Sequence, residues 1–216
     1  MKKVLLLLGP TLMIFIGLTL FANVPLTFGL FYGWLLLVPS IVNMKQPGLF
    51  KWRINFTKHS VILGTVSGLL FMILIFASVS YLFSFLIDLE FIRALLKKWN
   101  FDGGMVWLLI AVLIVLNPFL EENYWRNFIP EELKSSFSSG KSILIASFFY
   151  SFYHILSLIE LFNWPFNVIA VLPVFLAGAI WGFIRQRTGS LAAPVLSHML
   201  ADAGIMLVYL VHIHVW

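Results

Sequence analysis

Seven stretches of this sequence are long and apolar enough to cross a bilayer, and together they occupy most of the chain. They cover residues 4 to 23, 25 to 43, 60 to 87, 103 to about 128, 141 to 159, 167 to 184 and 190 to 211. Most are close to the roughly 20 residues that a spanning helix needs. The expected fold class is therefore an all-α membrane protein with about seven transmembrane helices, eight being the other admissible count. Composition agrees: of 216 residues, 61% are hydrophobic and 11% charged, against roughly 45–50% and 25% in an ordinary soluble domain. That gap excludes a soluble globular protein. The formal charge of +5 could suggest a nucleic-acid partner, but the basic residues fall in short gaps between apolar runs and form no patterned stripe. No nucleic acid is expected as a partner; the lipid bilayer is. Cysteine is absent, which excludes disulfides, thiolate metal sites and a cysteine nucleophile.

Lys2 and Lys3 before an apolar run imitate a secretory signal. That run is longer than the roughly 7–15 residues of a signal core and has no small-x-small cleavage site, so it reads as an uncleaved first span. Orientation follows from the basic residues, which resist translocation. With a cytoplasmic N-terminus, the inside segments hold Lys2, Lys3, Lys45, Lys51, Arg53, Lys58, Arg126, Lys134, Lys141, Arg185 and Arg187, 11 of the 14. Only Arg93, Lys97 and Lys98 fall outside. The reading is a multi-pass protein of the cell membrane, N-terminus cytoplasmic and C-terminus outside.

The stretch Asp88 to Trp99 places Leu89, Ile92, Leu95, Leu96 and Trp99 at helical spacing, as in an amphipathic helix on the outer surface. Gly64 and Gly68, and Gly178 and Gly182, are spaced for close helix approach. Ser135 to Gly140 reads as a loop, and Glu131 and Glu132 after Pro130 as the first turn of a short helix. His212 and His214 read as an interfacial tail, and His59 as a loop residue.

An ionisable group at a helix centre costs about 2.5–3.5 kcal/mol on insertion scales, so each one inside a span is a functional candidate. Glu121, Glu122 and Arg126 lie in the fourth run, His154 in the fifth, and His198 and Asp202 in the seventh. Glu122 and Arg126 are i,i+4 and can close an ion pair on one helix face. At 100° per residue Glu121 stands about 140° from Arg126, which suggests that Glu122 and Arg126 are structural and Glu121 chemical. Pro118 is expected to kink the helix just before them. His198 and Asp202 are a second i,i+4 pair, in which the carboxylate can fix the imidazole tautomer. Tyr150 lies one turn before His154 on its face. If the fourth helix ends near Ile129, Glu121 and His198 both lie about 12 Å from the cytoplasmic end, whereas His154 counted from Lys141 lies nearer 20 Å.

Two carboxylates, two histidines and an aspartate on three spans are what one water-activating site needs. These segments resemble the signature of the CAAX protease and bacteriocin-processing family of intramembrane proteases, which includes the type II CAAX prenyl endopeptidases. The pattern Glu-Glu-x3-Arg, Phe-x3-His, His-x3-Asn/Asp is met by Glu121, Glu122 and Arg126, then Tyr150 and His154, then His198 and Asp202. Gly189 to His198 also looks like the family's approach to its last histidine. Tyr150 stands where Phe is usual, and Asp202 where the prenyl endopeptidases carry Asn. The resemblance implies a four-helix catalytic core over residues 103–216, with about three N-terminal spans and the surface helix in 1–102. It further implies that Glu121 and His154 activate water against a peptide carbonyl, while His198 and the residue four later stabilise the oxyanion. An ionised Asp202 only accepts hydrogen bonds, so its expected role is to orient His198, and Asp202→Asn should keep substantial activity if direct donation suffices.

A zinc ion on His154, His198 and Glu121, with Glu122 as base, is the other mechanistic option; the expectation favours no cofactor. The expected partner is a peptide or lipidated protein substrate, met in the cytoplasmic half of the bilayer. Two further functions remain open on the residues alone. One is a non-catalytic scaffold or bacteriocin-immunity-type protein of the same family; the other is a transporter or proton relay, which the lack of repeated halves disfavours.

Overall fold

The computed structural model describes residues 2–45 and 52–214. Among the described residues every regular element is helical, and seven helices are long and apolar enough to cross a membrane. They are Lys3–Leu20, Val24–Met44, Lys58–Tyr81, Gly103–Leu133, Ser139–Leu161, Phe166–Thr188 and Ala192–Ile213. The chain is thus a multi-pass membrane protein, its exposed apolar side chains matching lipid rather than water. Of the basic residues assigned to cytoplasmic segments, Lys51 lies outside the described residues, as do the side chains of Lys2 and Lys45.

The ends of two spans depart furthest from the sequence reading. The third span was expected to reach residue 87 but stops at Tyr81, and a short helix Phe83–Leu86 follows. Hydropathy cannot see that break, because the residues on both sides are equally apolar. Asp88 then caps the next helix, Leu89–Lys98, by accepting from the Phe91 N–H at 3.0 Å. Its apolar side buries Ile92 and Leu95, and Arg93 Nε donates to the Ile213 carbonyl at 2.8 Å. The fourth span, expected to end near 128, runs on to Leu133, and Glu131 and Glu132 fall as expected in the first turn of a short α-helical segment, Ile129–Leu133, which continues the span without a break. The Ser135–Gly140 loop is shorter than expected, because Ser139 already opens the fifth span.

Helix association in lipid depends on close packing and polar contacts, because lipid tails are as apolar as leucine. The third and seventh spans show this most clearly. A Cβ on Gly64 would lie 2.7 Å from the Ala193 carbonyl, and one on Gly68 2.9 Å from Ser197 Cα. Gly204 answers from the seventh span, 2.9 Å from Met72 Cα by the same measure. Both predicted glycine pairs therefore mark helix contacts, since Gly178 and Gly182 face Tyr150, Ser147 and Ile143 of the fifth span. The first, second and fourth spans meet at Tyr124, whose hydroxyl donates to the Leu6 carbonyl at 2.6 Å and accepts from Trp34 Nε1 at 3.0 Å. Contacts therefore cross the division at residue 102. Lys3 Nζ donates to the hydroxyls of Ser135 and Ser136, which places the first span's start beside the turn after the fourth.

Candidate active site

The fourth span carries its carboxylates between two wide turns. π-helical segments Val112–Leu116 and Asn123–Phe128 flank the α-helical turn Asn117–Glu122. Pro118 sits at the start of that turn, where its missing N–H is absorbed by the wider coil before it. The expected perturbation at Pro118 thus takes the form of a change in helix type.

Glu122 is fully buried and Glu121 nearly so. Arg126 Nε faces Glu122 Oε2 at 3.2 Å, the i,i+4 ion pair that the spacing predicts. The guanidinium lies 4.1 Å from the Tyr150 ring centroid and 5.3 Å from that of Trp181. Gly178 makes room for it, because a Cβ there would stand 3.3 Å from Arg126 Nη2. The other Glu122 oxygen, Oε1, accepts from His198 Nδ1 at 2.9 Å. Glu122 therefore holds Arg126 with one oxygen and His198 with the other.

Nδ1 is thus held by a carboxylate from another span, a partner that spacing within the seventh span does not announce, while the expected neighbour Asp202 lies on the other nitrogen. His198 Nε2 instead faces three groups: the Tyr150 hydroxyl at 3.4 Å, Asp202 Oδ1 at 3.5 Å and Glu121 Oε2 at 3.7 Å. Glu121 Oε2 has no hydrogen-bond partner among the described residues. Trp181 stacks on the His198 ring with centroids 4.4 Å apart and planes at 19°, while its Nε1 donates to Ser197 at 2.9 Å. Asp202 Oδ2 accepts from Asn117 Nδ2 at 3.2 Å.

His154 joins this neighbourhood more loosely. Its Nδ1 donates to the Tyr150 carbonyl at 2.8 Å, and its ring stacks on Tyr153 at 4.4 Å. It lies close enough to His198, Asp202 and Arg126 to interact with their charges, but among the described residues no hydrogen bond or ion pair joins it to a carboxylate. The depth discrepancy shrinks once the true boundaries are used. With the fourth span ending at Leu133, Glu121 lies about 18 Å from its end, against about 22 Å for His154 from Ser139. The seventh span begins already inside the protein, with Leu191, Ala192 and Ala193 wholly buried and the Leu191 N–H donating to the Arg53 carbonyl at 2.8 Å.

Among the described residues, no three histidine or carboxylate side chains are grouped as a metal ion would require. Glu121, His154 and His198 therefore do not fit a zinc site in this arrangement. Sequence reasoning left Asn117 and Trp181 without a role. Asn117 was legible, being four residues before Glu121 and so on its face. Trp181 carries no such signal, since an apolar ring in an apolar helix resembles any lipid-facing tryptophan. His212 and His214 are more ordered than a tail. His212 stacks on Phe83 at 4.9 Å and lies 2.8 Å from the Ser80 hydroxyl, and His214 lies 3.0 Å from the Tyr209 hydroxyl.

Residues 103–204 match the family model described as type II CAAX prenyl endopeptidase Rce1-like. The matched segment contains Glu121, Glu122, Arg126, Tyr150, His154, His198 and Asp202, and the family is the one that the motifs resemble. No curated protein and no solved structure matches the chain.

Proposed function

We propose, from the premise that an Rce1-like match supports an intramembrane protease of CAAX type in general, that this chain is an endopeptidase using Glu121 and His154 to activate water. Its substrate is a lipidated or otherwise membrane-associated peptide. The observation that carries the proposal is the gathering of Glu121, Asp202 and Tyr150 around one nitrogen, His198 Nε2. So many polar groups inside an apolar bundle serve chemistry better than packing.

Glu121 Oε2, without a partner, accepts a proton from water as the water oxygen bonds to the peptide carbonyl carbon. His154 presents Nε2 to the same water, because its Nδ1 is held by the Tyr150 carbonyl. Negative charge develops on the carbonyl oxygen, facing His198. Donation from Nε2 while Nδ1 donates to Glu122 requires the imidazolium, whose charge Glu122 and Asp202 flank. The intermediate collapses when the C–N bond breaks and Glu121 returns its proton to the leaving nitrogen, giving a carboxylic acid and an amine, which depart as carboxylate and ammonium once the acid's proton passes to the amine.

The distribution of basic residues supports a cytoplasmic N-terminus and an outer C-terminus, and on this reading the site works in the cytoplasmic half of the bilayer. The test compares peptides released from liposomes carrying the native chain or Glu121→Ala. Loss of defined products in the variant supports proteolysis, and identical profiles return the protein to a scaffold role. No metal takes part in these steps. Activity should therefore survive chelation, with no metal detected in the active protein, and a chelation loss restored by zinc overturns this chemistry.

A further inference from the structure

We infer that Asn117 is a positioning residue of this site, its side-chain amide fixing Asp202 so that one carboxylate oxygen is turned to His198. The inference rests on the proteolytic reading only for what the site does, and on geometry for the rest.

Asn117 is buried, on the same span and face as Glu121 and one turn before it. Its Nδ2 donates to Asp202 Oδ2 at 3.2 Å, and the other oxygen, Oδ1, stands 3.5 Å from His198 Nε2. A carboxylate has two equivalent oxygens and rotates about its last bond. One donor on Oδ2 removes that freedom and commits Oδ1 to the imidazole. The bond also joins the seventh span to the turn that carries Glu121, so base and imidazole are registered by one contact. Glu122 fixes Nδ1 of the same ring from the next residue along. Both His198 nitrogens are thereby addressed from the fourth span, Nδ1 directly through Glu122 and Nε2 through Asn117 and Asp202. A purely structural amide, acting as polar glue between helices, would change stability and leave the His198 environment alone.

The test uses the full chain in detergent micelles with an internally quenched farnesylated peptide as probe. Asn117→Ala should lower kcat by up to about 100-fold, the scale that misplacing a reacting group by about 1 Å can reach, with KM within about twofold. Asn117→Asp, which sets two carboxylates face to face, should lose more. The exchange Asn117→Asp with Asp202→Asn restores a donor and an acceptor across the same gap and should recover at least about tenfold over Asn117→Asp, on the same positioning argument. Wild-type kcat in Asn117→Ala overturns the inference, as does an exchange variant no better than Asn117→Asp at an unchanged melting temperature. A second readout needs no turnover: in 15N-histidine spectra, Asn117→Ala should move the His198 ring signals and leave those of His212 in place. Unmoved His198 signals overturn the inference. If the wild type leaves the probe intact, the proteolytic reading fails for that substrate, and the spectra still decide on Asn117.

Discussion

His198 and His212 lie on the same span, and both are stacked on an aromatic ring, Trp181 at 4.4 Å and Phe83 at 4.9 Å. Both also have a polar neighbour within 3 Å, Glu122 for the first and the Ser80 hydroxyl for the second. What separates them is charge. Around His198 stand Glu121, Glu122 and Asp202, with Arg126 behind Glu122, whereas His212 is enclosed by Phe76, Phe83 and a neutral hydroxyl. An imidazole in an apolar setting with one hydroxyl is a satisfied packing residue. The same ring between carboxylates can change charge during a reaction. A histidine in a span is therefore read by its neighbours.

The comparison breaks most sharply at the base. Glu121→Gln keeps the shape and removes the proton acceptor, so peptide release should fall about 10²–10⁴-fold. A variant that retains most of its activity would move the chemistry elsewhere. Next comes the support of the ring. Glu122→Ala leaves Arg126 and His198 Nδ1 buried without their carboxylate, which should cost about 3–5 kcal/mol, read as a lowered unfolding temperature in detergent. A change within error would mean that buried water replaces the carboxylate.

A smaller effect is expected from the seam that seats His198. Gly68→Val forces the third span off Ser197 and Leu200 and should cost about 1–3 kcal/mol. Because Ser197 adjoins His198, activity should fall with stability, and stability loss alone would uncouple seam from site. Smallest is the other histidine. His212→Gln should cost about 0.5–1.5 kcal/mol, the worth of one hydrogen bond, with peptide release unaltered. A strong activity loss there would erase the contrast with His198.

Much of this was legible beforehand, for identifiable reasons. Spans are announced by hydropathy, so five of the seven ended close to where the apolar runs do, and the third and fourth departed because a turn at Leu82 and a continuation through Pro130 leave hydropathy unchanged. The Glu122 and Arg126 pair was predicted by spacing and is found at 3.2 Å. The same rule applied to His198 and Asp202 found the right neighbours but left the nitrogen open, and it gave no sign that a carboxylate from another span holds Nδ1. His154 fits least well, held by its own helix and by Tyr153.

By itself the sequence determined that the chain is a bundle of about seven spanning helices and which spans carry charge, because a backbone in hydrocarbon must satisfy its own hydrogen bonds and an ionisable group there is rare enough to be informative. Only the tertiary structure decided which oxygen meets which nitrogen, that Trp181 covers His198 and that Asn117 reaches Asp202. Those contacts cross between spans, and their geometry is set by how closely glycine seams let helices approach. Periodicity within one helix carries no record of that distance.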